Sequence, residues 1–393
     1  MATTTINLDH NATTPIDPRA VEAMVAAERE FPGNPASQHS LGRAARQRLD
    51  EIREQVGALL GADLQGQQAR GANDEIIFTS GATEANNLVL RGLSGPLADG
   101  DTPPRILISS IEHPSVMQTA AQLATEGYQV VRLPVDAAGV VRLDVLGEQL
   151  QQPTRLVSVM LGNHETGVRQ PIEKIAALTE AAGARLHTDA VQAVGKVPVD
   201  FRALGVAALT LSAHKFHGPR GIGAIVLKAG VRLSPLLFGG HQQHGLRPGT
   251  ESLALPTGLL AALELAAADQ KGTERMRQLR DDFEQRMTSA TAEIVVLGGD
   301  ADRLPHTSCL GFPPLDRQAF FVALDLAGVA CSTGSACESG SSEPSPVLGE
   351  MGLSEGVMNS ALRFSWGRET TAPETTEAAT RILAVYKDLR GRI

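Results

Sequence analysis

Between residues 76 and 228 the chain repeats one pattern: a short apolar run, a turn, then a helical stretch. The runs fall at 76–80, 105–110, 129–134, 155–161, 184–188, 208–212 and 223–227, and several are apolar throughout. A strand apolar on both sides must be covered on both faces, as in a mainly parallel sheet flanked by helices. Segments such as 172–182 supply that cover, so the pattern predicts a doubly wound α/β domain. After Pro256 the pattern changes. A long helix over 259–288, strands near 293–297 and 307–311, a helix near 317–327, strands near 328–331 and 361–366 and a C-terminal helix predict a smaller α+β domain. The expected division is a large domain of 14–255 and a small one of 1–13 and 256–393, with a cleft between them. In open α/β sheets, ligands sit beyond the carboxyl ends of the strands, so polar residues there are the first candidates.

Composition narrows the class of function. Of 393 residues, 42% are hydrophobic and 20% charged, which is a globular and not a disordered composition. The net charge of -9 argues against a broad nucleic-acid footprint or a polybasic membrane surface. The start, MATTTINLDHNATTP, lacks the charged and apolar regions of a signal peptide, and no apolar run approaches the roughly 18 residues that cross a bilayer. Three cysteines, Cys309, Cys331 and Cys337, cannot make a disulfide framework or a four-cysteine metal site. The expectation is a soluble, cytoplasmic protein.

Four strand ends carry polar residues. In IIFTSGATEANN a strand turns through Ser80-Gly81-Ala82-Thr83 into a helix, whose unpaired N–H groups and Thr83 hydroxyl suit an anion; the same residues also make an ordinary helix start. His113 follows a strand and precedes Pro114, where a structural role competes with a chemical one. Asp189 ends another strand, with Gln192 three residues on; a helix cap is the plain alternative. In ALTLSAHKFHGPRGIG a strand runs into Ser212, His214 and Lys215, and Lys215 is one of six lysines in the chain. A lysine shielded from water has a lowered pKa and can act as an amine nucleophile, whereas a turn lysine in water does nothing. Residues 332–346, STGSACESGSSEPSP, are two-thirds Ser, Gly and Pro. They read as a surface loop, except that Cys337 lies near the middle, and a cysteine on such a loop is a candidate for chemistry. An anion cup, an imidazole, a carboxylate and a lysine at the ends of one sheet together meet the needs of pyridoxal phosphate.

The chain resembles the class V aminotransferase superfamily, and within it the cysteine desulfurases of the NifS/IscS type. The likeness runs through LDHNATTPIDPRA, GNPASQHSLGRAAR, IIFTSGATEANN, EHPSV, NHETGV, HTDAVQAVGK, SAHKFHGPRGIG, GLRPGTES, STGSACESGSSEPSPVL and ALRFSWGRETT. It implies the fold type I of pyridoxal-phosphate-dependent transferases. By resemblance, Lys215 is the Schiff-base lysine, Asp189 the partner of the pyridine nitrogen, His113 the stacked imidazole and candidate acid, and Gln192 a donor to the phenolic oxygen. Ala82, Thr83, Ser212 and His214 are implied phosphate ligands. Thr250 is implied to serve the phosphate site of a partner subunit, hence a homodimer. Arg363 is implied to grip the substrate carboxylate, with Asn11 and Asn163 also at the substrate. Cys337 is the implied nucleophile that takes sulfur from L-cysteine as a persulfide, leaves alanine, and passes the sulfur to a scaffold or sulfur-carrier protein for iron–sulfur or thio-cofactor assembly. An unperturbed thiol has a pKa of about 8.5, so local activation is expected.

Two positions depart from the family's pattern. His164 stands where a second asparagine is usual and would donate to the cofactor's phenolic oxygen, and Gln243 stands where glutamate is common. An ordinary aminotransferase, a cysteine or selenocysteine lyase, and an inactive interaction scaffold are the competing readings. Cys331 and Cys309 are expected to be buried strand cysteines, with Cys331 the alternative of a resolving thiol.

Overall fold

The computed structural model describes residues 5–64, 73–97, 102–269, 271–334 and 345–391. The short strand β1 (Ile6–Asn7) leads into helices α1 (Pro18–Glu30) and α2 (Ser40–Leu59). Then follow β2 (Glu75–Thr79), α3 (Ala82–Ser94), β3 (Arg105–Ser109), α4 (Pro114–Thr125), β4 (Gln129–Leu133), α5 (Leu143–Gln149) and β5 (Leu156–Ser158). The series continues with α6 (Ile172–Ala181), β6 (Arg185–Asp189), α7 (Phe201–Leu204), β7 (Ala208–Ser212) and β8 (Gly223–Leu227). Beyond it lie α8 (Ala254–Ala268), α9 (Gly272–Ala290), β9 (Val295–Leu297), β10 (Thr307–Gly311), α10 (Arg317–Leu326) and β11 (Val329–Ala330). Two short helices, α11 (Pro346–Glu350) and α12 (Glu355–Met358), then β12 (Ala361–Ser365) and α13 (Ala372–Arg390) complete the order.

The seven-stranded sheet has the order β2-β8-β7-β6-β5-β3-β4. Only β8 is antiparallel to its neighbours; the other pairs are parallel. Strands β3, β5, β7 and β8 are buried at every position, as the unbroken apolar runs predict. Successive side chains go to opposite faces. Ile77, Ile106, Ile108 and Ile225 pack with Leu88 and Val89 of α3 and Val116 of α4. Their neighbours Ile76, Leu107 and Val226 join Leu49 and Val56 of α2, Ile175 of α6 and Leu259 of α8. Helices on both faces therefore close the sheet, and because β2 is parallel to β7, the carboxyl ends of β2, β3, β5, β6 and β7 share one edge.

A second core lies outside the sheet. Ile6 and Leu8 pack with Phe283, Phe312, Phe320, Phe364, Trp366 and Tyr386, around the antiparallel sheet β12-β10-β9. Strand β1 pairs in parallel with β11, which ties Ile6 and Asn7 to this body.

Two expectations change. The single helix over 259–288 is two helices. Asp269 ends α8, its carbonyl accepts from the Gly272 N–H at 3.0 Å, and a Cβ at Gly272 would meet the Asp269 carboxylate at 2.4 Å. The change of core also falls later than 256, because Leu259, Leu260 and Leu263 of α8 belong to the larger cluster. Among the described residues no helix is long and apolar enough to cross a membrane.

Candidate active site

At the carboxyl edge of the sheet lies a cavity of about 490 Å³. Its wall includes Ala82, Thr83, His113, His164, Asp189, Gln192, Ser212, His214 and Lys215, supplied by the segments at the ends of β2, β3, β5, β6 and β7.

The first wall is the β2–α3 turn. Gly81 has φ +157° and serves as the N-cap of α3 without any side-chain cap. The first N–H groups of the 13-residue helix are thus left without a side-chain acceptor, with the positive end of the helix dipole behind them. Strand β8 begins against this turn, where a Cβ on Gly223 would meet the Gly81 carbonyl carbon at 2.7 Å and the Leu211 oxygen at 2.6 Å. Only glycine permits that approach.

His113 is held from its own sequence. Pro114 starts α4, and the Ser115 N–H donates to His113 Nδ1 at 3.1 Å, so the imidazole caps the helix it precedes. Burial lowers its pKa, Lys215 adds to the effect and Asp189 opposes it. The His164 ring lies edge-on to it, 5.3 Å away at 74°. Burial, then His113, Arg363 and Lys215, hold His164 well below the usual imidazole range, and its Nδ1 is buried with no partner among the described residues.

Asp189 ends β6. Its Oδ1 accepts from the Val191 N–H at 2.9 Å and its Oδ2 from Asn86 Nδ2 at 2.7 Å. The turn after β7 carries Lys215, whose Nζ donates to the carbonyls of Asn11 at 2.6 Å and Ala12 at 3.0 Å. His214 Nδ1 lies 3.1 Å from Thr13 Oγ1, and burial followed by Lys215 lowers its pKa to about 4. Gln192 donates to the Asn11 carbonyl at 3.2 Å and leaves Oε1 buried with no partner among the described residues.

Other expected residues stand off the cavity. Asn163 is spent on its own loop: Nδ2 donates to Ile111 O at 3.1 Å, and Oδ1 accepts from the N–H groups of Glu165 and Thr166. The side chain of Asn11 braces Thr307 at 2.9 Å and the His164 carbonyl at 3.2 Å. Arg363 on β12 is buried, with Asp9 at 2.7 Å and the His164 carbonyl at 2.9 Å, while its Nε has no partner among the described residues. Gln243 has φ +49° and pairs with the Phe78 backbone, at 2.7 Å to its N–H and 2.8 Å to its carbonyl, so its amide extends the sheet edge. A carboxylate could accept there but not donate. Thr250 is exposed and outside this cavity.

Cys337 lies outside the described residues, but both flanks of its segment are placed. Ser332 exchanges backbone hydrogen bonds with Arg363 at 2.7 and 3.0 Å. Ser345 donates to Glu165 at 2.6 Å, and a Cβ on Gly334 would meet the same carboxylate at 2.6 Å. The flanking residues Ser332, Gly334 and Ser345 therefore lie beside Arg363 and Glu165. Cys309 and Cys331 are buried, and burial raises both thiols, Cys331 to about 12.

The family model for Aminotransferase class-V matches residues 6–376. The chain belongs to the class-V aminotransferase family. It is 42% identical to a cysteine desulfurase of Cereibacter sphaeroides over 98% of this chain and 97% of the relative. It is 40% identical to cysteine desulfurase 2 of Trichormus variabilis, over 98% of this chain and 94% of that one. A solved NifS-like protein from Rickettsia africae superposes with a TM-score of 0.86 at 30% identity, covering 98% of this chain and 99% of that one.

In this class-V chain, sequence reasoning missed Thr13 and Arg220, which also line the cavity; the motifs HNATTP and GPRG contain them. It missed Asn86 and Ser115 as well. Nothing marks either beyond a polar residue in a helix.

Proposed function

We propose that this chain is a pyridoxal-phosphate-dependent cysteine desulfurase, which takes sulfur from L-cysteine and releases L-alanine. The observation that carries the reading is the cavity where Lys215 and Asp189 share one wall with the uncapped start of α3. Pyridoxal phosphate fits that donor set: an anion cup at Ala82, Thr83, Ser212 and His214, a flat imidazole at His113, a carboxylate, an amine, and buried atoms on Gln192 and His164 that have no partner among the described residues. When bound, the group supplies an electron sink that loosens bonds around the amino acid's α-carbon.

The chain's own residues do the rest. Asp189, held by Asn86 and Val191, offers a fixed acceptor to the pyridine nitrogen. The Lys215 amine would tether the group and, when free, would move a proton at the substrate's α-carbon. Neutral His113 shields one face of the site from water. Arg363 offers a planar guanidinium suited to the substrate carboxylate. Cys337, as thiolate, attacks the substrate sulfur. The Cβ–Sγ bond of cysteine breaks as an S–S bond forms, so one sulfur atom moves and the products are alanine and a persulfide. No outside oxidant or reductant is needed. The placing of Ser332 beside Arg363 and of Ser345 beside Glu165, on either side of Cys337 in the sequence, supports delivery of that thiol. A cytoplasmic homodimer, with Thr250 reaching the partner's phosphate site and a scaffold or carrier protein accepting the sulfur, completes the proposal.

The test is purified protein with cysteine and a thiol reductant. Equal amounts of alanine and sulfide are expected, abolished by Cys337→Ala while cofactor absorbance persists. Amino transfer to a 2-oxo acid, unaffected by that substitution, would overturn the reading.

A further inference from the structure

Behind the cavity wall, polar side chains run through the middle of the large core. Asn86, on α3, is fully buried, and neither the family resemblance nor the cavity lining singles it out. We infer that Asn86 is a positioning residue which, through one directional chain of hydrogen bonds, holds the Asp189 carboxylate and sets the tautomer of His113. Its consequence for catalysis rests on the proposed function; the hydrogen-bond assignment does not.

Each hydrogen in the chain has one place to go. Asn86 Nδ2 lies 2.7 Å from Asp189 Oδ2 and 2.9 Å from Ser115 Oγ. Turning the amide over would set its oxygen against the carboxylate, so Nδ2 must face Asp189. The Ser115 hydroxyl then accepts from Asn86 and must donate onward. Its neighbour is His113 Nδ1 at 2.8 Å, which already accepts from the Ser115 N–H at 3.1 Å. His113 Nδ1 is therefore bare and its proton sits on Nε2.

The other side of Asn86 is determined in the same way. The Thr210 hydroxyl donates to Asn86 Oδ1 at 2.6 Å, so its oxygen accepts from His187 Nε2 at 3.2 Å. His187 Nδ1 is left to accept from Ser158 at 2.9 Å. Burial holds His187 near a pKa of 3, so this ring stays neutral and relays no charge. The chain thus begins on a neutral group and ends on the two residues that flank the proposed cofactor ring. A change of charge on Asp189 reaches His113 through three hydrogen bonds, by way of Asn86 and Ser115. An aliphatic residue here would strand buried partners in three directions, but a merely structural amide would not need to face this way.

The full chain labelled with 15N-histidine, without cofactor, decides the assignment, since two-bond 1H–15N spectra separate bare from protonated ring nitrogens. The wild type is expected to show His113 as a single Nε2–H tautomer. In Asn86→Asp the Ser115 hydroxyl turns toward the new carboxylate. The His113 Nδ1 resonance should then move, and its protonation midpoint should rise by about one pH unit. Ser115→Ala should move Nδ1 as well, and Ser115→Thr, which keeps the hydroxyl, should restore it. With pyridoxal phosphate bound, the pH midpoint of cofactor absorbance should rise in Asn86→Asp. A wild-type His113 protonated on Nδ1 would overturn the inference. So would variants whose His113 signals match the wild type, or an absorbance midpoint that stays put. If Asn86→Asp fails to fold, the wild-type spectrum and the Ser115 pair still decide. A chain that takes up no cofactor, yet shows the expected imidazole signals, would sink the desulfurase reading and leave the Asn86 assignment standing.

Discussion

Glu112, one residue before His113, is a carboxyl without room for its charge. Its Oε1 accepts from the Ser109 hydroxyl at 2.5 Å and the Met160 N–H at 2.7 Å, while Oε2 is buried without a partner among the described residues. Burial, against those two hydrogen bonds, raises its pKa to about 8. The folded value lies above the unfolded one, so the stabilisation is complete below about pH 4.5 and is lost as pH rises toward 8. Over that window the wild type should lose on the order of a few kcal/mol. Glu112→Gln keeps the acceptor for Ser109 and Met160 and should flatten the curve; melting temperatures at pH 5 to 8 compare the two. Superimposable curves would mean that Glu112 is already charged in the fold. Arg363 makes a different prediction. Arg363→Lys removes the planar fork, so KM for cysteine should rise about 10- to 100-fold with kcat less affected, as steady-state kinetics reads. His113→Ala should instead lower kcat, by roughly 10²-fold or more.

At the scale of elements, the β2–α3 turn and the start of β8 depend on each other. Gly223→Ala sets a methyl against two backbone atoms, and neither can move without shifting the turn. A loss of about 1–3 kcal/mol in urea unfolding is expected, with weaker binding of pyridoxal phosphate in a titration. Unchanged cofactor affinity would show that the turn is not part of the anion cup. The strands of this region were legible in the sequence because a fully buried strand must be apolar on both sides, and β7 and β8 have the expected bounds. The break between α8 and α9 was not. The apolar pattern continues across it, and what stops the helix is a local arrangement of Asp269 and Gly272 that periodicity does not register.

At the scale of the whole molecule, the second core holds Arg363 in place. Phe364, the next residue, packs its ring 5.1 Å from Phe283 and 6.2 Å from Phe312. Phe364→Ala should cost about 3–5 kcal/mol and raise KM for cysteine too, because β12 positions the guanidinium. Calorimetry and kinetics on one preparation check both. Thr250 offers a test of assembly. The protein should sediment at twice the 41.4 kDa chain mass, and Thr250→Val should weaken cofactor binding although Thr250 is outside its own cavity. A monomer with full affinity would remove that residue from the site.

Residue types and their spacing along the chain predicted the class of fold and named the polar strand ends as candidates, since apolar burial and turn formation are local demands written position by position; the family came from the resemblance of the motifs. The tertiary structure alone decided that Asn163 closes a loop, that Gln243 extends a sheet edge, that His164 lies edge-on to His113, and that Asn86 meets Asp189 across 103 positions of chain. Most of these hydrogen bonds depend on which distant groups are brought within about 3 Å, as with Asn163 and Ile111, Gln243 and Phe78, or Asn86 and Asp189, and no short stretch of sequence contains both partners.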